Sequence, residues 1–144
     1  MKTKKVTVET TQLVDFFDIT EKAEDLVKKS GLSEGSIVIF SPHTTAGIII
    51  NHNEEMLLQD FSRILHEVAP LDKKYSHDMF ELTEKAVSDG RSNGHSHCKR
   101  MFIPSSETVP FKEGQLLLGE KQSILLAELD GGRKRDFFLQ VIGE

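Results

Sequence analysis

Apolar and polar positions alternate in the first segment, where Val6, Val8 and Thr10 interleave with polar side chains, as expected of a half-buried strand. A second strand is predicted over residues 13–17. The period then becomes helical: Ile19, Ala23, Leu26 and Val27 share a face, with Asp18 or Thr20 as N-cap and Gly31 just past the end. Residues 36–40 form a β-branched apolar run, read as a strand buried on both faces, and residues 47–51 read as another strand. Leu57, Phe61, Ile64, Leu65 and Val68 follow helical spacing, with Asn51 or Asn53 as N-cap, and Pro70 stops that helix.

Residues 70–96 are polar and irregular, with "DGRSNGHS" as the plainest loop, and a short helix is predicted over residues 96–102. Beyond them the pattern is a β-meander: residues 107–111, the turn "KEGQ", residues 116–118 and 123–129, the turn "DGG", and residues 135–142. Strands early and late with helices between predict the α+β class. The expected architecture is one domain over residues 1–144, with mixed or antiparallel sheets packed against a few helices.

Composition narrows the function classes. The net charge of -5 gives no overall attraction to nucleic acid or to an anionic membrane. No apolar run approaches the ~20 residues a membrane span needs, and the basic start is not followed by the apolar stretch of a signal peptide. The single cysteine, Cys98, excludes an internal disulfide framework. A soluble cytoplasmic protein is expected, with neither nucleic acid nor membrane as partner.

Candidate chemistry sits on histidines carried by separate segments. His43 lies between the apolar runs "SIVIF" and "GIII", His77 stands beside a carboxylate in "YSHD", and His95 and His97 fall in "NGHSHC". Three imidazoles from separate segments suit a divalent metal with an open position, and Asp78 or Glu128 is a candidate to orient one of them. His95 and His97 are two apart and diverge on a helix, so one of them is expected to be functional, whereas His52 and His66 read as solvent-side. Ser41 or Thr44 beside His43 keeps a nucleophilic alternative open. Thr44 and Thr45 also read simply as strand-end residues with backbone hydrogen bonds. In the turn "DGGRKRD", Arg133 and Arg135 are candidate phosphate donors.

Taken in order, "HTTAGIIINHNE", "YSHD", "SH" at 96–97, "VPFKEGQLLLGEKQSILLAELDGGRKR" and "VIGE" make the chain resemble the YjbQ-like (YugU) family over nearly its whole length. The resemblance implies a homotrimer and a histidine-lined, metal-binding pocket. It also implies an activity like that of secondary thiamine-phosphate synthases, which join a pyrimidine diphosphate to a thiazole phosphate with loss of pyrophosphate. Matched motif by motif, it assigns His43, His77 and His97 to the metal, with Glu128 beside them as catalytic residues. Thr44, Thr45, Asn51, Asn53, Gln122, Arg133 and Arg135 are then expected to contact substrate. Three imidazoles suit zinc or another transition metal, with magnesium as the alternative for a diphosphate substrate. This chain departs from the family pattern at Pro104, Gly132 and Lys121, the last standing where the family has tryptophan. A metal-dependent hydrolase of a small phosphorylated or acyl substrate, and a non-catalytic metal- or metabolite-binding trimer, are the alternatives.

Overall fold

The computed structural model describes residues 1–83 and 92–144. Two antiparallel sheets divide the strands. In the larger, the spatial order is β1 (Lys2–Glu9), β8 (Lys134–Gly143), β3 (Glu34–Phe40), β5 (Ser106–Lys112) and β6 (Gln115–Leu116). In the smaller, β7 (Ser123–Glu128) lies between β2 (Asp15–Asp18) and β4 (Ala46–Asn51). The α+β expectation holds, and every strand pairing is antiparallel.

The inner face of the large sheet carries Ile37, Ile39, Val109, Phe111, Phe137, Leu139 and Val141. These pack on Ala23, Leu26 and Val27 of α1 (Thr20–Ser30), and on Ile48, Ile124 and Leu126 of the small sheet. The opposite face of the small sheet, with Ala127 and Phe16, receives Leu65, Leu58 and Phe61 of α2 (Glu55–Val68). The small sheet is therefore the middle layer, and its central strand β7 is the one buried on both faces. β3 instead alternates, with Ile37 and Ile39 fully buried and Phe40 exposed. Its apolar run is continuous in sequence but one-sided in space.

α3 (Ser76–Thr83) lies in the stretch read as irregular, and α4 (Gly94–Arg100) begins two residues before the helix predicted over residues 96–102. The start of the predicted loop "DGRSNGHS" lies outside the described residues, and its end belongs to α4. The cap of α2 is Glu54, whose Oε2 accepts the Leu57 N–H at 2.5 Å, rather than either asparagine. In the turn between β5 and β6, Glu113 and Gly114 both take positive φ, the pattern of a tight two-residue hairpin. Among the described residues no helix is long and apolar enough to cross a membrane.

Candidate functional site

At one end of the small sheet the interior turns polar. β7 directs Ile124 and Leu126 at the large sheet, and two residues on, in the same alternation, stands Glu128. β8 follows Val141, Leu139 and Phe137 with Arg135. Glu128 and Arg135 thus meet fully buried, with Nε and an Nη of the guanidinium donating to the two carboxylate oxygens at 2.7 and 2.6 Å. The same Nη donates to Thr45 Oγ1 at 2.7 Å, and Asp130 N donates to Glu128 Oε1 at 2.8 Å. This fork-on-fork geometry gives each charge its partners, as a buried ion pair requires.

That arrangement corrects three expectations. Arg135 is committed to Glu128 and is not placed to hold a phosphate. Glu128 has no solvent exposure and both its oxygens are engaged, so it is not placed to contact a bound molecule directly. Thr45 is buried with its hydroxyl turned to Arg135, leaving Thr44 as the exposed member of the pair.

The network continues outward. Asp130 Oδ2 accepts from Arg133 at 2.8 Å and from Asn93 Nδ2 at 3.0 Å. The other end of the Asn93 amide, Oδ1, lies 3.2 Å from His77 Nε2. His77 in turn meets His97 edge to face, with ring centroids 4.6 Å apart. Asp78 Oδ1 accepts the Gly94 N–H at 2.9 Å, so consecutive residues of "YSHD" clamp α3 to the start of α4. Ser96 N and His97 N both donate to the Asn93 carbonyl, which fixes the first turn of α4 and with it the position of His97.

His97 also lines an open cleft of about 430 Å³, bounded by Ser41, Pro42, His43, Thr44, Arg100 and Ser105 and rimmed by Phe40 and Met101. His43 Nε2 donates to the Asp136 carbonyl at 2.8 Å, so in the neutral ring the lone pair sits on Nδ1. Ser41 is a turn residue, not a nucleophile. Its buried hydroxyl donates to the Ala46 carbonyl at 2.8 Å and accepts from His43 N. Arg100 pins α4 through the carbonyls of Ala46 and Ile103 and the Ser105 hydroxyl, adding positive charge to the cleft wall.

The other predicted contacts lie elsewhere in the chain. Asn51 ends β4, five steps of about 3.3 Å from Ala46, so roughly 17 Å from the cleft end of that strand. Asn53 donates to Asp18 Oδ2 at 3.1 Å, and Gln122 accepts the Gly119 N–H at 2.8 Å within its own turn. Burial alone would raise the Asp18 carboxyl, yet hydrogen bonds from Thr20, Asn53 and Ser123 outweigh it and hold Asp18 below the ordinary value. These residues form a separate polar end of the small sheet.

Sequence reasoning missed a third group. Lys99 is fully buried, and its ammonium donates to the Ala69 carbonyl at the end of α2 and to His95 Nδ1, at 2.8 and 2.7 Å. Burial first, and then the Lys99 charge, push His95 down to about 4, and burial pushes Lys99 down to about 8. His66 faces this pair, with a buried Nδ1 that has no hydrogen-bond partner among the described residues. The i, i+4 spacing of His95 and Lys99 was the available signal.

Among the described residues, no three His, Cys, Asp or Glu side chains stand close enough together to hold one metal ion. His77 and His97 meet as a pair, with His43 on the cleft that His97 shares.

Residues 4–144 match the sequence profile of the family described as UPF0047 protein YjbQ-like. The chain belongs to the YjbQ family of UPF0047 proteins. A UPF0047 protein of Methanothermobacter thermautotrophicus is 34% identical over 142 residues, covering 99% of this chain and 92% of that one. The UPF0047 protein YugU of Bacillus subtilis is 30% identical, covering 97% and 98%. The crystal structure of a hypothetical protein from Aeropyrum pernix K1 superposes with a TM-score of 0.88 at 30% identity, covering 100% of both chains. Membership in the YjbQ family accounts for the fold; chemistry has to be read from the site.

Proposed function

We propose that this YjbQ-family chain is a small enzyme acting on a phosphate-bearing metabolite in the cleft between His43 and His97. The observation that carries the reading is the hydrogen-bonded line that runs from the buried Glu128–Arg135 pair and Asp130 through half-buried Asn93 to His77, whose ring meets His97 at the cleft. So many satisfied polar groups beneath one side-chain pair are costly to assemble for packing alone, and polar networks of this kind serve to fix functional geometry.

The chain's own residues divide the work. His43 Nδ1 can take a proton in flight and, once protonated, donate to a phosphate oxygen, while His97 brings a second ring and Thr44 a hydroxyl to the same wall. Arg100 contributes fixed positive charge where a diphosphate gathers negative charge on leaving. His77 and His97 would hold a divalent metal, zinc or another transition metal by the softness of imidazole. When bound, it supplies charge stabilisation to a departing phosphate or diphosphate. The finer reading follows the secondary thiamine-phosphate synthases: a pyrimidine diphosphate is joined to a thiazole phosphate and pyrophosphate departs. The imidazole donors favour zinc over magnesium, which supports metal-dependent hydrolysis of a small phosphorylated substrate as the second reading. Homotrimer formation is part of the proposal, supported by the exposure of Phe40 and Met101 at the rim of the cleft (43 and 81%).

Two experiments test this. Elemental analysis of the purified chain is expected to find a transition metal that the triple variant His43→Ala/His77→Ala/His97→Ala lacks; equal metal in both removes the assigned ligands. A thiamine-requiring strain is expected to grow with the native gene and not with the triple variant. No growth with the native gene removes the synthase reading, and phosphate release from a single phosphorylated substrate then decides for the hydrolase.

A further inference from the structure

Asn93 occupies the N-cap position of α4, where an asparagine side chain ordinarily accepts a backbone N–H of the first turn. Here it makes no such bond; the Asp78 carboxylate accepts the Gly94 N–H instead. The displaced amide bridges two other groups. Its Nδ2 lies 3.0 Å from Asp130 Oδ2, and its Oδ1 lies 3.2 Å from His77 Nε2. A strong capping residue turned away from its own helix departs from local preference, and such departures concentrate at functional sites.

The chemistry of the bridge leaves one arrangement. A carboxylate accepts and does not donate, so the end of the amide that faces Asp130 is the NH₂. The end that faces His77 is then the carbonyl oxygen, which also only accepts, so His77 Nε2 carries the hydrogen. In the neutral ring the lone pair is on Nδ1. Asp130 is held in place for this task. It is buried, its Oδ2 also accepts from Arg133 at 2.8 Å, and its backbone N–H is fixed on Glu128.

We infer that Asp130 and Asn93 are positioning residues, a carboxylate–amide relay that sets the tautomer of His77, with the hydrogen on Nε2 and the lone pair on Nδ1 of the ring beside His97. The inference rests on the proposed function for the importance of that nitrogen, and on the geometry alone for the tautomer. An amide interposed between acid and imidazole passes on orientation without setting a full negative charge against the ring. This distinguishes the relay from a direct aspartate–histidine pair, in which the charge itself acts on the ring.

The test is ring-nitrogen NMR of the full-length ¹⁵N-labelled chain at about pH 8, above the ordinary imidazole range. The native chain is expected to show His77 in the Nε2–H tautomer. Asn93→Leu removes the acceptor, and Asp130→Asn removes the group that fixes the amide; each is expected to give Nδ1–H or a mixture. Asn93→Asp restores an acceptor at the ring and is expected to recover Nε2–H. A native Nδ1–H signal, or an unchanged tautomer in both disrupting variants, overturns the relay. Should Asn93→Leu fail to fold, the native spectrum and Asp130→Asn still decide. Pyrophosphate titrated, with zinc present, into a second native sample separates the two ideas. Nε2–H without binding sinks the proposed function and leaves the relay standing; binding with Nδ1–H does the reverse.

Discussion

Glu128 and Arg135 each occupy a core-facing strand position and meet as a buried ion pair. Removing one member leaves a buried charge without its partner. Glu128→Gln or Arg135→Met is therefore expected to cost about 3–5 kcal/mol in urea unfolding, whereas the apolar double replacement Glu128→Leu/Arg135→Met costs less than either. Equal or additive costs would show that the two charges do not depend on one another. This pair gives no signal in the sequence, because it forms only when β7 and β8 come together. His43, His77 and His97 do stand out there, because imidazoles beside strand ends and helix starts have few packing reasons to be present.

Lys99 and His95 predict how stability follows pH. The folded chain holds His95 down to about 4 from an ordinary 6.5, so between those values the unfolded chain binds the proton that the folded chain refuses. Stability from this group is complete above about pH 6.5 and falls as pH drops towards 4, by about 3 kcal/mol in all. Lys99 carries the same sign at higher pH: held down to about 8 from 10.5, it disfavours the folded chain while charged, and stability rises as pH passes from 8 to 10.5. In Lys99→Met, one cause of the His95 depression is gone. Urea midpoints between pH 4 and pH 7 are expected to vary less steeply than in the native chain, and identical slopes would refute the coupling.

At the scale of elements, hydrophobic periodicity found most strands and both long helices, and it erred where tertiary context decides. The run at residues 36–40 and strand β7 are both apolar, yet only the strand in the middle layer has partners on both faces. α3 was invisible because its eight residues, "SHDMFELT", carry too short an apolar pattern to separate from loop. The α2 cap went to Glu54, while Asn53 was drawn to Asp18. Gly47 shows how closely the segment after α4 rides on β4: a Cβ there would lie 2.6 Å from both Ile103 Cγ2 and the Pro104 carbonyl oxygen. Gly47→Ala is expected to cost about 1–3 kcal/mol, read as a lower thermal midpoint, because backbone on one side leaves little room to relax. An unchanged midpoint would mean that this segment lifts away freely.

For the whole molecule, the small sheet places two polar clusters at opposite ends, one with His43, Thr45 and Glu128, the other with Asn51, Asn53 and Gln122. A motif order along the chain gives no warning of that separation, since β4 joins "HTT" to "NHNE" directly while holding them a strand length apart. Only the first cluster has histidine rings against a cleft with a buried network beneath it. The most direct test is calorimetric titration of inorganic pyrophosphate, with zinc present, into the native chain and into His43→Ala and His97→Ala. Saturable binding is expected in the native chain, weakened about tenfold to a hundredfold in each variant through loss of one charge-assisted contact. Equal affinity in all three would place phosphate recognition outside the cleft and contradict the proposed site.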